Sequence, residues 1–560
     1  MTLSQSIRLA SPPMRNPTSA GQDSSRRRTS FPETIPGTPL GTRAVALAVA
    51  LAVALALAAC DVGPKYVAPS ENLPGGFVAG SAVATPPADP ELREWWAQFN
   101  DPLLTELIRD GDQANQSLAA ALANVKAAWA GVGITESEFW PSVGLGGKYA
   151  REKVNITQVA AQGVDVSPYD VYAYGVGMSS WEIDIWGKVR NQVVAATEGA
   201  NATLDSFRGL MVSIRAQIAS TYIQARTLQA RIEVAESVVG NLQQTVDLVA
   251  LKVQHGTADQ MSLDQASAEL DMSASQLPQL RAAYDSTVST LAVLCGTTTA
   301  PMMERLLASP GAIPDGPGVL SIGIPASLLE RRADVQARER EYHASIATIA
   351  ATEALHLPSL SLSGNFYISS NTVKGLGDIS NEAYSFGPSI NWLVFAGGRV
   401  NSQVAQAKAR SEEALANYRN AVLTALADVE SSASSVGQSQ EALELQQRAL
   451  TSAAAAFALA VLQFEQGLTD LTTLLSIANT LADVEDAVAQ TQGLAAQDIV
   501  SLYKALGGGW ETATLSEDAA AILKEKPDHV EDGWKPPTAA SEPIPTPIVP
   551  TEPSTTKGQS

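Results

Sequence analysis

Among 560 residues the chain has two cysteines, four histidines and few aromatic side chains, 6% in all. Each shortage closes an option. Cys60 and Cys295 cannot make a disulfide framework. His255, His343, His356 and His529 stand at no metal-ligand spacing to one another, to a cysteine or to a carboxylate pair, so no metal is expected. Few large side chains with abundant alanine favour thin, close-packed helices over a thick core. Basic residues are also short: 37 Lys and Arg face 58 Asp and Glu, a formal charge of −21. That balance excludes nucleic acid as a partner, since a phosphate surface needs a basic face.

Enzyme chemistry is equally poorly served, and neither catalytic residues nor a cofactor is expected. "GLGGK" at 144 has no Ser or Thr after its lysine, opens no helix and lies in a strand pattern, so it is no phosphate loop. "LGGGW" at 506 reads as a helix C-cap. Glu182 and Asp184, at i and i+2 of a strand, share a face and are read as lining a wet lumen. Cys295 is read as a small buried residue near a helix end.

What the chain does have begins at the N-terminus. Arg43 is followed by an apolar run from Ala44 to Ala59 and then Cys60. Leu57-Ala58-Ala59-Cys60 resembles the lipobox of bacterial lipoproteins, which implies cleavage before Cys60 and a diacylglycerol on its thiol. Residues 1–59 are therefore expected to be a signal peptide. The stretch before Arg43 exceeds an ordinary n-region, which points to a start at Met14 or beyond, or to a different export signal in "SRRRTSF". Asp61 would favour inner-membrane retention in enteric bacteria.

The middle of the chain is duplicated. Shifted by 211 residues, it lies on itself without a gap from Trp181 to Leu263: Trp181 meets Trp392, Gly187 meets Gly398, Gly256 meets Gly467 and Leu263 meets Leu474. Upstream, "EFWPSV" pairs with "LHLPSL" at a slightly different offset. The expected organisation is a lipidated segment over 60–100, a first repeat over 101–300, a second over 318–506, and a Pro-rich tail over 507–560 that cannot bury enough apolar surface to fold.

Each repeat reads in one order. An Ala-rich helix (about Pro102 to Glu138, and Leu328 to Leu355) ends at a proline. Two strands follow, then a very long helix, a glycine turn and a returning helix. The strands alternate with a period of two. Leu360, Leu362, Phe366 and Ile368 oppose Ser359, Ser361, Ser363 and Asn365; Tyr384, Phe386, Ile390 and Trp392 oppose Ser385, Ser389 and Asn391. Strands of about ten residues with terminal aromatics, Tyr172, Tyr174 and Trp181 among them, suit a transmembrane barrel. Four strands cannot close one, and open edges are not tolerated in lipid, so several chains must share it. The helix from Lys188 to Gln254 carries an unbroken 3-4 seam from Leu204 to Val253 and must coil against a neighbour. Its equivalent in the second copy is weaker, with Ser439, Gln446, Ala453 and Ala460 on the seam. Gly187 and Gly398 mark the junctions of strand and tunnel helix.

These features bring a family into view. "CDVGPKYVAPS" at 60, "EWWAQFNDPLLTELI" at 94, "FWPSV" at 139, "WEIDIWGKVR" at 181, "IPASLLERRADVQARE" at 324, "LPSLSLSGNF" at 357 and "LYKALGGGW" at 502 carry the likeness. The chain resembles the TolC-like outer-membrane factors, and within them the lipidated, NodT-type subunits of RND multidrug efflux systems. The resemblance implies a mixed α and transmembrane β fold. It implies a homotrimer whose twelve-stranded barrel, set in outer-membrane lipids, continues as an α-helical periplasmic tunnel. The implied partners are a periplasmic adaptor (membrane fusion protein) and an inner-membrane RND-type transporter; the implied cargo is drugs or other small molecules. A type I protein-secretion exit duct and a lipoprotein coiled-coil tether are the alternatives.

The resemblance also places two sites. The turns at His255–Gln260 and Gln466–Leu471 correspond to the periplasmic tip, where the adaptor docks; Gly256, Thr257, Asp259, Gly467 and Leu468 are its candidate residues. Related proteins close the tunnel with a Leu, an Asp and an Arg after the second turn. Thr472, Ser476 and Asn479 stand at those places here, leaving Asp470 as the acid of the candidate gate. A looser closed state, cation-preferring because of an acidic lumen, is the expectation.

Overall fold

A computed structural model describes residues 62–70, 92–153, 167–317 and 331–510. The expectations for residues 1–59, Cys60 and 511–560 lie outside the described residues. All described residues belong to one compact unit, Cys60–Ser560.

The elements follow a repeated order. The first copy has α1 (Pro102–Ala114), α2 (Gln116–Glu136), β1 (Val143–Glu152), β2 (Tyr169–Ile183), α3 (Lys188–Gln254), α4 (Gln260–Ala274) and α5 (Gln276–Leu294). A short α6 (Thr299–Ala308) leads on to the second copy: α7 (Ala333–Glu353), β3 (Ser359–Ser370), β4 (Glu382–Asn391), α8 (Arg399–Glu465) and α9 (Leu471–Ala505). The two long helices, α3 and α8, have 67 residues each, which is roughly 100 Å at 1.5 Å per residue. Two expected helices are broken. Pro102 to Glu138 divides at Asn115, whose side chain accepts from Ser117 N and Leu118 N and so caps α2. The return of the first copy divides at Ser275, with Pro278 in the first turn of α5.

The long helices are the continuous parts of the wall. At the strand end, α2 packs on α3, α3 on α7 and α7 on α8. Toward the turns, α4 and α5 pack on α3, α3 on α9 and α9 on α8. So α5 hands over to α2, and α9 to α7. The two handovers are built alike. Asn115 Nδ2, before α2, donates to Leu294 O at the end of α5 at 2.8 Å. Arg332 Nη1, before α7, donates to Ala505 O at the end of α9 at 3.2 Å. Each short helix thus finds its end carbonyl satisfied by the residue that opens the next.

The seam of α3 is buried or half-buried from Leu204 to Val253. One stretch departs from a simple stripe. Between Met211 and Leu228 the buried residues run nearly round the helix, including Arg215, Tyr222, Arg226 and Thr227. The main core lies there. Trp95, Trp96, Phe99, Leu104 and Leu107 pack against α3 together with Ile499, Leu502 and Tyr503 of α9, and Trp95 stacks on Tyr503 at 5.6 Å. Gly507, Gly508 and Gly509 are buried in this core. "LGGGW" is a C-cap, with Gly507 at φ +71 and Gly508 N donating to Tyr503 O, and it is a packed element as well.

Candidate functional site

The four strands form one antiparallel sheet in the order β1-β2-β3-β4, so the two copies meet at β2 and β3. The registers collect the apolar side chains on one face. Leu145 stands opposite Val176, Val176 opposite Phe366, and Phe366 opposite Tyr384. Leu360 faces Ile390 and, on its other side, Ile183. The other face is small or polar: Gly146 opposite Gly175, Gly177 opposite Asn365, Ser361 opposite Ser389. A bulge between Met178 and Trp181 preserves this alternation to the end of β2.

The apolar face is bare in one chain. Leu145 is 80% exposed, Phe386 69% and Ile390 75%. The outer strands, β1 and β4, each leave one edge unpaired. A sheet with a bare apolar face and two free edges is incomplete; lipid can cover the face but cannot satisfy the edges. Closure by further copies does both, and puts the small face inward.

At the base of the sheet, Gly187 precedes α3 at φ +78 and Gly398 precedes α8 at φ +85. The two junctions differ in chemistry. Asp184 accepts from Val189 N at 3.1 Å and Arg190 N at 2.9 Å, and pairs with Arg190 Nε at 3.3 Å. Glu182 pairs with Lys188 at 2.8 Å. These acids are therefore not a free lumenal pair: one fills the start of α3 and the other neutralises its first residue. In the second copy Leu393 and Phe395 hold their places.

At the far end the two turns match. Gly256 has φ +71 and Gly467 φ +70, a left-handed backbone that glycine adopts without a Cβ penalty. Thr257 N donates to Lys252 O, and Leu468 N to Gln463 O, both at 2.8 Å. Asp259 caps α4 through Ser262 N and Oγ at 2.9 and 2.6 Å. Asp470 caps α9 through Thr473 N at 2.7 Å. The hydroxyl and backbone donors of Ser262 hold the Asp259 carboxyl below its usual range, and the Thr473 donors do the same for Asp470. Lys252 Nζ joins the turns by donating to Phe464 O at 2.8 Å. Leu242 and Val249 of α3 share an apolar cluster there with Phe464 of α8 and Leu474 and Leu475 of α9. Thr257 and Leu468 are exposed. Thr472 and Ser476 are exposed on α9, whereas Asn479 is half-buried and donates to Glu269 Oε1 at 2.9 Å. Of the candidate gate residues, Asp470 caps α9, Asn479 ties α9 to α4, and Thr472 and Ser476 are exposed in one chain.

A second polar system went unread in the sequence. Arg215, 3% exposed, grips Asp112 at 2.8 and 2.6 Å, donates to Gly509 O and lies over the Trp96 ring at 5.1 Å. Arg226 donates to Tyr222 Oη at 3.0 Å and Ser309 O at 2.6 Å. Burial, then the bond to Asp101, raises the Tyr222 hydroxyl far above the usual tyrosine range. Burial pushes the Cys295 thiol up to about 12, far from reactive. Among the described residues no three His, Cys, Asp or Glu side chains are grouped to hold a metal ion.

This architecture has known counterparts. Residues 107–297 and 324–508 match the outer membrane efflux protein family, and the chain belongs to it. The pyoverdine export outer membrane protein OpmQ of Pseudomonas aeruginosa is 29% identical over 427 residues, covering 75% of this chain and 88% of that one. Nodulation protein T of Rhizobium leguminosarum is 26% identical, covering 83% and 94%. The solved outer-membrane channel OprN superposes with a TM-score of 0.73 at 30% identity, over 81% of this chain and all of that one. The chain is an efflux exit channel subunit of the outer membrane, its strands and tunnel helices completed in a trimer.

Proposed function

We propose that this channel is the outer component of a tripartite export system. A periplasmic adaptor docks on the two helix turns, an inner-membrane RND-type transporter loads the tunnel, and drugs or other small molecules leave through the barrel. The observation that supports this most is the matched construction of the turns around Gly256 and Gly467, each with an aspartate cap and an exposed side chain just beyond the glycine. Such paired, rigid knobs suit a partner that reads both repeats at once. In the same reading Cys60 carries a diacylglycerol that anchors the chain beside the barrel.

Photocrosslinking from Thr257 or Leu468 in whole cells tests the docking. Each position should capture an adaptor. Thr257→Trp and Leu468→Trp should reduce capture from the neighbouring turn while trimers persist. Intact trimers with undiminished capture in both variants would overturn the assignment.

A further inference from the structure

The inward face of the sheet is almost free of net charge. Its residues are mostly glycine, alanine, serine and asparagine, with Tyr169, Val171 and Tyr367 among them, and its cation Lys148 is paired with Glu152 at 2.9 Å. Charge reappears at the periplasmic base. A cavity of about 320 Å³ there is bounded by Glu182, Asp184, Lys188, Ser359, Asn391 and Arg399. Ser359 and Asn391 are partners across β3 and β4, and Glu182 stands opposite Ser361 of the small-residue face. The cavity therefore opens on the inward side.

The internal duplication shows which of these charges is spare. Lys188 and Arg399 are equivalent, each the first residue of a long helix. Lys188 is neutralised by Glu182 at 2.8 Å, and Asp184 is committed to Arg190 at 3.3 Å and to the backbone of α3. The positions equivalent to both acids are apolar, Leu393 and Phe395, the latter 86% exposed. Arg399 is exposed and has no ion pair among the described residues. The second copy has kept the cation and lacks both counter-charges.

We infer that Arg399 forms, with its two symmetry copies, an uncompensated positive ring at the base of the barrel, and that this ring sets a preference for anionic groups where cargo passes from tunnel to barrel. The inference rests on the channel reading, and single-channel conduction by the wild type tests that reading separately. An uncompensated positive ring raises the local concentration of anions and opposes cations. It works against the acidic charge of the rest of the chain, so the barrel base is a distinct selectivity step.

The test is reversal potential in planar bilayers under a KCl gradient. Arg399→Ala should move the reversal potential toward the potassium value, and Arg399→Glu further. Phe395→Asp supplies the carboxylate that the first copy has at Asp184, so it should move the potential the same way with Arg399 intact. Native mass spectrometry checks that each variant is trimeric. Unchanged reversal potentials in trimeric Arg399→Ala and Phe395→Asp channels would overturn the inference. So would loss of trimers in Arg399→Ala with unaltered selectivity in Phe395→Asp: Arg399 would then be spent on a neighbouring chain, for example on the exposed Glu138.

Discussion

At the scale of single residues, the chain separates charges that hold the fold from charges that face the path. Arg215 is the clearest of the first kind. It closes a 103-residue loop to Asp112 and a 294-residue loop to Gly509, tying α1, α3 and the end of α9 into one core. Arg215→Ala leaves Asp112 half-sheltered without a cation and removes a donor from a buried carbonyl. The expected cost is about 3 kcal/mol, toward the lower end for breaking a buried pair because Asp112 keeps some contact with water. Urea unfolding of purified protein, followed by circular dichroism, measures it; Arg215→Lys should recover only part, since an ammonium cannot make the paired fork. None of this was legible beforehand. The arginine falls off the heptad seam, and its partner is far away in sequence. The two acids before Gly187 show a different limit. Their spacing reads as that of strand neighbours at i and i+2, but β2 ends at Ile183, and Asp184, three residues before the Gly187 cap, folds back onto the first N–H groups of α3.

At the scale of elements, periodicity carried the reading furthest where one face repeats without interruption. The α3 seam and the strand alternation are of this kind, and both survive in three dimensions because coiling and lipid exposure each demand a single apolar face. Breaks were harder to see. Asn115 interrupts a helical pattern that never loses its alanines, and only the carbonyl of Leu294 explains why a cap is wanted there. The second-copy seam bears its weakness openly. Ser439 is buried and turns its hydroxyl back to Val436 O at 3.2 Å, while Gln446 Oε1 is buried with no hydrogen-bond partner. The first copy has Ala235 at that place. A buried acceptor left unpaired costs about 1–3 kcal/mol, so Gln446→Leu should stabilise the α8–α9 pair by about 1 kcal/mol. Hydrogen exchange across α8 and α9 is the direct readout: slower exchange around residue 446 is expected, with α3 unchanged. Equal or faster exchange would mean that the amide supports the pair.

For the whole molecule, the difficulty is the interval before the trimer exists. A single chain offers a bare apolar face and two open strand edges, and lipid cannot accept the edges. The sheet therefore cannot hold one chain in the membrane, and something else must keep it there until its partners arrive. The segment that follows Cys60 fits that need. Gly63 lies against Ala350, near the end of α7 where the chain enters β3. Tyr66 Oη donates to Glu339 Oε1 at 2.7 Å and its ring stacks on His343 at 4.0 Å. Cys60 is three residues from Gly63 in the sequence, a span of roughly 10 Å at most, and we propose that a lipid on its thiol meets the membrane at the barrel base. Each buried methylene of an acyl chain contributes about 0.8 kcal/mol, enough for diacylglycerol to hold a monomer that its strands cannot. After closure the barrel anchors the protein by itself. The mature protein should then begin at a diacylglyceryl-modified Cys60, visible by mass spectrometry. Cys60→Ala, exported behind a cleavable signal peptide, should form trimers more slowly and in lower yield, while trimers that do form conduct normally. An unmodified Cys60, or unchanged assembly kinetics in the variant, would mean that the strands find one another without the anchor.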